Sequence, residues 1–524
     1  MRAWTLGLLS ALLPNLAFAQ DCDCDHELQP GALTVNGDEL GVQPGDRICV
    51  QAGAYEFIRF ESIQGTDAEP VVITNCGGQV RIHNEDRAYG LVVGESSQHF
   101  RLLGTGDPAH EYGFRVSVPA TDPWPGVGLS LVGRSTNYEV SHIEIHDTGF
   151  AGVSAKTDPL CDGSADQDVF VQRDVEIHHL YVHDTGGEGF YVGSTQSDGQ
   201  TINCDGVDEV HQPHYLEGIH LHHNLIERTA WDGMQVGMAR SDCAVYANTI
   251  VDVGLAGVEY QQQGLQVGTY SSCEVYGNVI QDGPAMGIIV LGAGPTRIYN
   301  NLIVDFGGDG IYANHRDVGV PATYDFVFNT IVGYGESGIR VFGPQLGPSA
   351  ARSNLVVGAA PQITAGGDVS FSDENNVVVA SVSEAGFVGA EDYHLADDSP
   401  ARGAGAVVDG IGFDLEGRQR ADPPSAGAYE HVSDSPGEGG APGEPPPPPR
   451  GGGGGSASEP GGGSDEADAG CGCRAAAGGV PRLATLWVAL LGAGVFARRR
   501  RLRCTIWQSL PLRRLQTHLS NWTT

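Results

Sequence analysis

Between Tyr138 and Val341 apolar and polar residues alternate in short runs that return again and again to one phase. Alternation of period two predicts strands rather than helices. The runs share an anchor, mostly Asn, followed nine residues later by Gly and then an apolar residue. The pairs are Ile143/Gly152, Leu180/Gly189, Asn224/Gly233, Asn248/Gly257, Asn278/Gly287, Asn301/Gly310 and Asn329/Gly338. Three columns are apolar throughout. Three before the anchor stand Val140, Ile177, Leu221, Val245, Val275, Ile298 and Phe326; two after it, Ile145, Val182, Ile226, Ile250, Ile280, Ile303 and Ile331; one after the Gly, Val153, Phe190, Met234, Val258, Ile288, Ile311 and Ile339. Successive anchors lie 37, 44, 24, 30, 23 and 28 residues apart. A fixed unit joined by variable connections is the pattern of a solenoid. The expected fold is all-β: a single-stranded right-handed parallel β-helix of stacked coils of roughly 23 residues with loop insertions. Neighbouring coils should rise by about 4.8 Å, the inter-strand spacing.

The Asn column (Asn224, Asn248, Asn278, Asn301, Asn329, with Asn354 as a candidate) reads as scaffold. So does the Asp column four after the anchor (Asp147, Asp184, Asp252, Asp282, Asp305), because both residues close turns and tolerate left-handed backbone.

The rest of the chain divides around this body. Residues 1–19 carry Arg2, an apolar run and Ala17-Phe18-Ala19, the pattern of a secretory signal peptide. Residues 20–137 should form an N-terminal cap and the first coils, and 138–431 the regular repeats and a C-terminal cap. Residues 432–470, nearly all Gly, Pro, Ser, Glu and Asp, cannot bury a core and read as a solvated linker. Residues 471–501 hold Cys471-Gly472-Cys473, an apolar run from Leu483 to Ala497, and Arg498–Arg501. The apolar run is short for a spanning helix, which wants about 20 residues. Residues 502–524 remain unassigned. Export permits disulfides. Cys243 and Cys273 both stand five before their anchors and should meet, bridged or as packed thiols; Cys161 and Cys204 lie in two long insertions that they could tie together.

Two stretches resemble known families. Val42-Gln43-Pro44-Gly45-Asp46-Arg47-Ile48, Gly53-Ala54-Tyr55 and Pro70-Val71-Val72-Ile73 are similar to the opening coils of the pectate-lyase-like β-helix superfamily, and Ser399-Pro400-Ala401-Arg402-Gly403 through Gly427-Ala428-Tyr429-Glu430 to its last coil and cap. The resemblance covers roughly residues 31–430 and implies fold, not activity. The order of linker, Cys-Gly-Cys, apolar segment and Arg cluster resembles myxobacterial sorting tails. It implies a cell-surface or outer-membrane protein, held at least transiently in the membrane or released.

Charge narrows the partners. Formal net charge is −36, with 29 basic and 65 acidic side chains. Nucleic acid is excluded as a partner by repulsion. A neutral glycan fits such a surface, as does a uronate polymer bridged by calcium, the one cofactor this reading admits. The chain is expected to act as a monomer.

Candidate chemistry gathers over residues 150–270, where the insertions 157–174 and 194–217 and an excess around 261–270 would wall a groove. Ser154, Tyr191, Gln235 and Glu259 form a column two after the Gly, predicted to face outward and bind substrate together with Trp231. Glu188 and Asp232, one before the Gly on neighbouring coils, should hold their carboxyls about 5 Å apart, which suits a retaining glycosidase pair. Lys156 is the only lysine of the chain. With a lowered pKa it could abstract the proton beside a uronate carboxylate. Gly149-Phe150-Ala151-Gly152-Val153-Ser154-Ala155-Lys156 resembles the strand bearing the catalytic lysine in one group of calcium-dependent pectate lyases, although the calcium-binding Asp cluster of that group has no match in Gly186-Gly187-Glu188-Gly189-Phe190. Ten of 18 histidines fall between His142 and His223. No spacing among them defines a metal site, and His178 and His222 should stack outside the helix with Tyr246, Tyr276 and Tyr299. The expected function is polysaccharide binding with cleavage by a lyase base, Lys156, or by the pair Glu188 and Asp232. The alternative is a non-catalytic adhesin or scaffold.

Overall fold

The computed structural model describes residues 22–431, apart from 122–124, 293, 317–320, 344–346 and 367–368. The signal peptide, linker, Cys-Gly-Cys tail and residues 502–524 lie outside the described residues. No helix among the described residues is long and apolar enough to cross a membrane.

The chain winds as a right-handed parallel β-helix. Its strands form one sheet of 23 and one of 12, every pairing between their named strands is parallel, and two four-residue helices are the only α-structure described. The coil after Tyr138 shows the unit: Thr136–Ser141 and Ile143–Thr148 in the larger sheet, Val153–Ala155 in the smaller. The columns read from sequence are the register of the structure. Val140 pairs with Ile177, Ile177 with Leu221, Leu221 with Val245, and so on to Phe326. Every member of that column is 0% exposed. Burying one such side chain contributes about 1.5–3 kcal/mol, and stacking repeats the gain coil after coil.

The repeated phrase has a steric cause. A Cβ on Gly233 would come within 2.4 Å of Ile250 Cγ2, and one on Gly287 within 2.4 Å of Ile303 Cγ2. Each Gly makes room for the β-branched residue two past the anchor of the next coil. The Asn column is a continuous ladder. Asn248 Nδ2 and backbone N–H both donate to Asn278 Oδ1 at 3.0 Å, and the same pattern runs from Asn224 through Asn301, Asn329 and Asn354 to Asn376. The ladder therefore extends one coil beyond the candidate Asn354. The Asp column takes left-handed backbone at every member, with φ between 48° and 60°.

Two expectations change. In the coil of Asn248 the Gly in register is Gly264, not Gly257: Met234 pairs with Leu265 and Gly264 packs beneath Ile280 as its neighbours do. Residues 255–260 are exposed, in a loop running from buried Gly254 to Tyr260, in which Gly257 takes φ 65°. Secondly, 396–431 is not a cap stacked on the end but a strap along the flank. Ala428 N–H donates to Thr330 Oγ1, Arg420 stacks 3.8 Å over Phe328, and Val408 and Ile411 pack on Val327. Four disulfides close the body: Cys22–Cys76, Cys24–Cys49, Cys161–Cys204 and Cys243–Cys273. The last two join the pairs suggested by their placement in the sequence.

Candidate functional site

The smaller sheet carries the candidate residues. Val153–Ala155, Phe190–Val192, Met234–Val236 and Leu265–Val267 pair in order, so Ser154, Tyr191, Gln235 and Gln266 form one column. Gln266 stands where Glu259 was expected; Glu259 is exposed in the 254–260 loop, displaced by the register change at Gly264. The signal that would have found Gln266 is Gly264-Leu265, a second Gly-apolar phrase seven residues past the misleading Gly257-Val258.

The column does not face open solvent. Tyr191 is 3% and Gln235 2% exposed, and Ser154 is half-buried. The strands alternate as expected, but the insertions cover their outer face. The 194–217 insertion contains an antiparallel hairpin, Gln200–Cys204 with Val207–His211, bridged by Cys204 to Cys161 of the first insertion. Buried His214 locks the two together: its Nε2 accepts from Thr157 N–H at 3.1 Å while Nδ1 donates to Tyr215 O at 3.1 Å. Burial lowers its pKa to about 4, so it is a neutral strut.

Beneath this roof an amide line leads to a carboxylate. Gln266 Nε2 donates to Gln235 Oε1 at 3.0 Å, and Gln235 Nε2 donates to Glu188 Oε1 at 2.9 Å. Asp232 Oδ1 accepts the Gln263 N–H at 2.8 Å. Glu188 Oε2, Asp232 Oδ2 and Gln263 Oε1 have no hydrogen-bond partner. Glu188 and Asp232 are 2% and 0% exposed and sit on neighbouring coils, since Gly189 N–H donates to Asp232 O. Burial pushes Glu188 up to about 7 against the pull of Lys156 and Gln235. Burial pushes Asp232 well above the carboxylate range, and the neighbouring Glu188 charge adds to it. Burial thus works against ionisation of both carboxyls.

Lys156 lies at the edge of this network. Nζ is 2.6 Å from Asp158 Oδ1 and 4.8 Å from the centre of the Tyr191 ring. Burial works against its charge, but Asp158, Tyr191 and Glu188 outweigh burial and hold its pKa above the ordinary value. The expected lowered pKa is therefore reversed: this ammonium is a fixed positive charge, not a poised base. Asp158, missed from sequence, was signalled by its place two residues after the only lysine. Trp231 is half-buried and meets Phe150 edge-on at 5.6 Å, close to the acid pair through its chain neighbour Asp232.

On the larger sheet the outward stack is present. His178, His222, Tyr246, Tyr276 and Tyr299 follow one another with ring centroids 4.8, 4.6, 4.9 and 4.8 Å apart.

Residues 221–381 match the family described as right handed beta helix region. No curated protein sequence matches the chain. Among solved structures it is similar to pectate lyase Pel9A, with 12% identity and TM-score 0.43 over 79% of this chain and 99% of that one. It is also similar to an alginate lyase from Paenibacillus sp. str. FPU-7, with 15% identity and TM-score 0.38 over 67% of this chain and 99% of that one. A third is the GH136 lacto-N-biosidase from Eubacterium ramulus, with 12% identity and TM-score 0.43 over 68% of each chain. The family match agrees with the register: the protein has a right-handed parallel β-helix fold.

Proposed function

We propose that the protein is an exported, cell-surface β-helix that binds a neutral polysaccharide over residues 150–270 and hydrolyses it with Glu188 and Asp232. One observation carries this reading: two buried carboxyls on adjacent coils, each with one oxygen that has no hydrogen-bond partner. Adjacent coils set them about 5 Å apart, the separation of a retaining pair. Burial raises both carboxyls, and of the two only Glu188 has Lys156 pulling its pKa back down, which assigns roles. Asp232, with no such cation, would protonate the leaving oxygen. Glu188, nearer the Lys156 charge, would be the nucleophile once ionised. Lys156 then supports the charge on Glu188 instead of abstracting a proton. Calcium does not fit this pair: Ca2+ takes about 6–8 oxygen ligands, whereas Glu188 Oε2, Asp232 Oδ2 and Gln263 Oε1 are three, two of them on carboxyls that burial keeps from ionising. The four disulfides support an oxidising, extracellular setting.

The test is release of reducing ends from a panel of neutral glycans. Wild type should cleave one of them, and Glu188→Gln and Asp232→Asn should each abolish cleavage while folding as wild type does, by circular dichroism. The burial of Glu188, Tyr191 and Gln235 favours a second reading, a non-catalytic adhesin or scaffold whose polar interior only stiffens the coil. Binding without any cleavage by wild type selects that reading.

A further inference from the structure

The column of Gln235 and Gln266 continues past the acid pair. Gln266 pairs with Ile289, Ile289 with Tyr312 and Tyr312 with Arg340, while Asn314 pairs with Phe342 beside them. Asp309 stands one residue before Gly310, the place that Glu188 and Asp232 hold before Gly189 and Gly233. Backbone bonds from Gly233 to Gln263, Gly264 to Met286 and Gly287 to Asp309 mark the steps from Asp232 to Asp309. Three such steps amount to a rise on the order of 14 Å.

The strands Ile311–Asn314 and Ile339–Phe342 carry a polar cluster that stays open. Phe342 is 49% exposed, and Tyr312, Asn314 and Arg340 are half-buried. Arg340 is held in one orientation. Its Nε donates to Asp309 Oδ2 at 2.9 Å, and Nη2 reaches the same oxygen and lies 2.8 Å from Glu336 Oε2. The guanidinium carbon stands 4.6 Å from the centre of the Tyr312 ring, and Asn314 Nδ2 donates to Tyr312 OH at 3.0 Å. Asp309 is 0% exposed, and its Oδ1 has no hydrogen-bond partner. A buried acceptor left unbonded needs a reason, and fixing Arg340 supplies one.

Charge selects the ligand. Burial pushes Asp309 up to about 6 against the pull of Arg340, so above that pH it is ionised. Asp309 and Glu336 then outnumber Arg340, and Arg316, two residues past Asn314, is offset by Asp198 of the 194–217 insertion. No cation is left over for a carboxylated sugar. A hydroxyl both donates and accepts, and Arg340 beside exposed Glu336 offers a donor next to an acceptor. Phe342 and Tyr312 add aromatic area for the apolar face of a ring.

We propose that Asp309, Tyr312, Asn314, Glu336, Arg340 and Phe342 form a second glycan-binding site, outside residues 150–270, that takes uncharged sugar rings of a long polysaccharide. The site rests on the reading of this face as polysaccharide-binding. A chain held here reaches Asp232 only by spanning several rings, so a disaccharide at the acid pair forgoes it.

The probes are xylan, galactomannan and barley β-glucan, with alginate as the uronate control, each cast into native affinity gels. At least one neutral glycan should retard wild type, and alginate should not. Phe342→Ala, an exposed substitution that leaves the Asp309–Arg340 pair intact, should weaken retention several-fold. Phe342→Ala with Asn314→Ala should weaken it about tenfold or more, both variants folding as wild type does by circular dichroism. Retention needs no cleavage. Its loss in Phe342→Ala supports this site even where wild type cleaves none of the three glycans, an outcome that strikes the acid pair alone. Cleavage that depends on Glu188, with retention unchanged in Phe342→Ala, strikes this site alone. No retardation of wild type by any neutral glycan, or stronger retention by alginate, also overturns the proposal.

Discussion

Gln235 Nε2 donates to Glu188 Oε1 at 2.9 Å across one coil, and the other carboxyl oxygen, Oε2, has no partner. One amide satisfies half of a buried carboxyl and leaves the other half to a proton, a cation or a substrate. The residue is 2% exposed, so solvent does not satisfy it.

That arrangement predicts a pH dependence. Burial raises Glu188 from its ordinary 4.5 to about 7 in the folded state. A raised folded-state pKa gives stability that is full below about pH 4.5 and is lost as pH rises through about 7. Glu188→Gln cannot ionise and escapes that loss. Urea denaturation at about pH 5 and pH 8 should therefore show the variant gaining on wild type by an amount on the order of 3 kcal/mol between the two. An identical gap at both pH values would contradict a buried, protonated Glu188.

Lys156 tunes the same carboxyl. Its charge lowers the Glu188 pKa, opposing burial. Lys156→Met should move the pH at which stability is lost upward from about 7, while Glu188→Gln with Lys156→Met should show no such movement. Proton NMR or the pH series of denaturation reads the shift; a midpoint that stays put or falls would remove Lys156 from the network.

How much of this was legible depends on which interactions are local to the repeat. The columns Val140 to Phe326 and Ile145 to Ile331 were readable because every coil buries the same positions. Gly152 and Gly189 were readable because a Cβ there strikes Val182 and Ile226 of the next coil. The coil of Asn248 misled because Gly257-Val258 repeats the phrase in a loop, where no packing demands it. The closed roof over Tyr191 and Gln235 was illegible: insertion lengths are visible in sequence, but the path of a loop such as 194–217 is set by contacts like Thr157 to His214. The sign of the Lys156 shift was missed for a related reason, since it turns on Asp158 and Tyr191 meeting one ammonium.

The Asn ladder makes a prediction about cooperativity. Asn278 Oδ1 accepts from the backbone N–H and Nδ2 of Asn248, and its own Nδ2 donates to Val245 O, Tyr276 O and Asn301 Oδ1. Asn278→Ala strands several buried groups at once, each costing about 1–3 kcal/mol. The loss should be on the order of 3–5 kcal/mol by chemical denaturation. Asn376→Ala, at the half-exposed end of the ladder, should cost markedly less. Equal losses at the two positions would mean that the ladder is not the brace it looks like.

The corrected register yields the sharpest contrast at the candidate site. Glu259 and Gln266 are seven residues apart; the nine-residue spacing expects Glu259 in the column beside Gln235, and the structure puts Gln266 there. The pairing of Gln235 with Gln266 and the 3.0 Å bond between their amides put Gln266 in line with Glu188, while Glu259 stands in solvent on the 254–260 loop. Gln266→Ala removes the donor that orients Gln235, and Gln235 in turn holds Glu188. It should lower the Glu188-dependent signal, whether cleavage or the pH-linked stability difference, and weaken glycan binding several-fold. Glu259→Ala should leave cleavage and pH linkage at wild-type levels, since an exposed carboxylate of this surface has no part in the amide line. Measuring both variants on one glycan decides the matter: a large effect at Glu259 with none at Gln266 would return the binding column to the nine-residue spacing and undo the site built on Gly264.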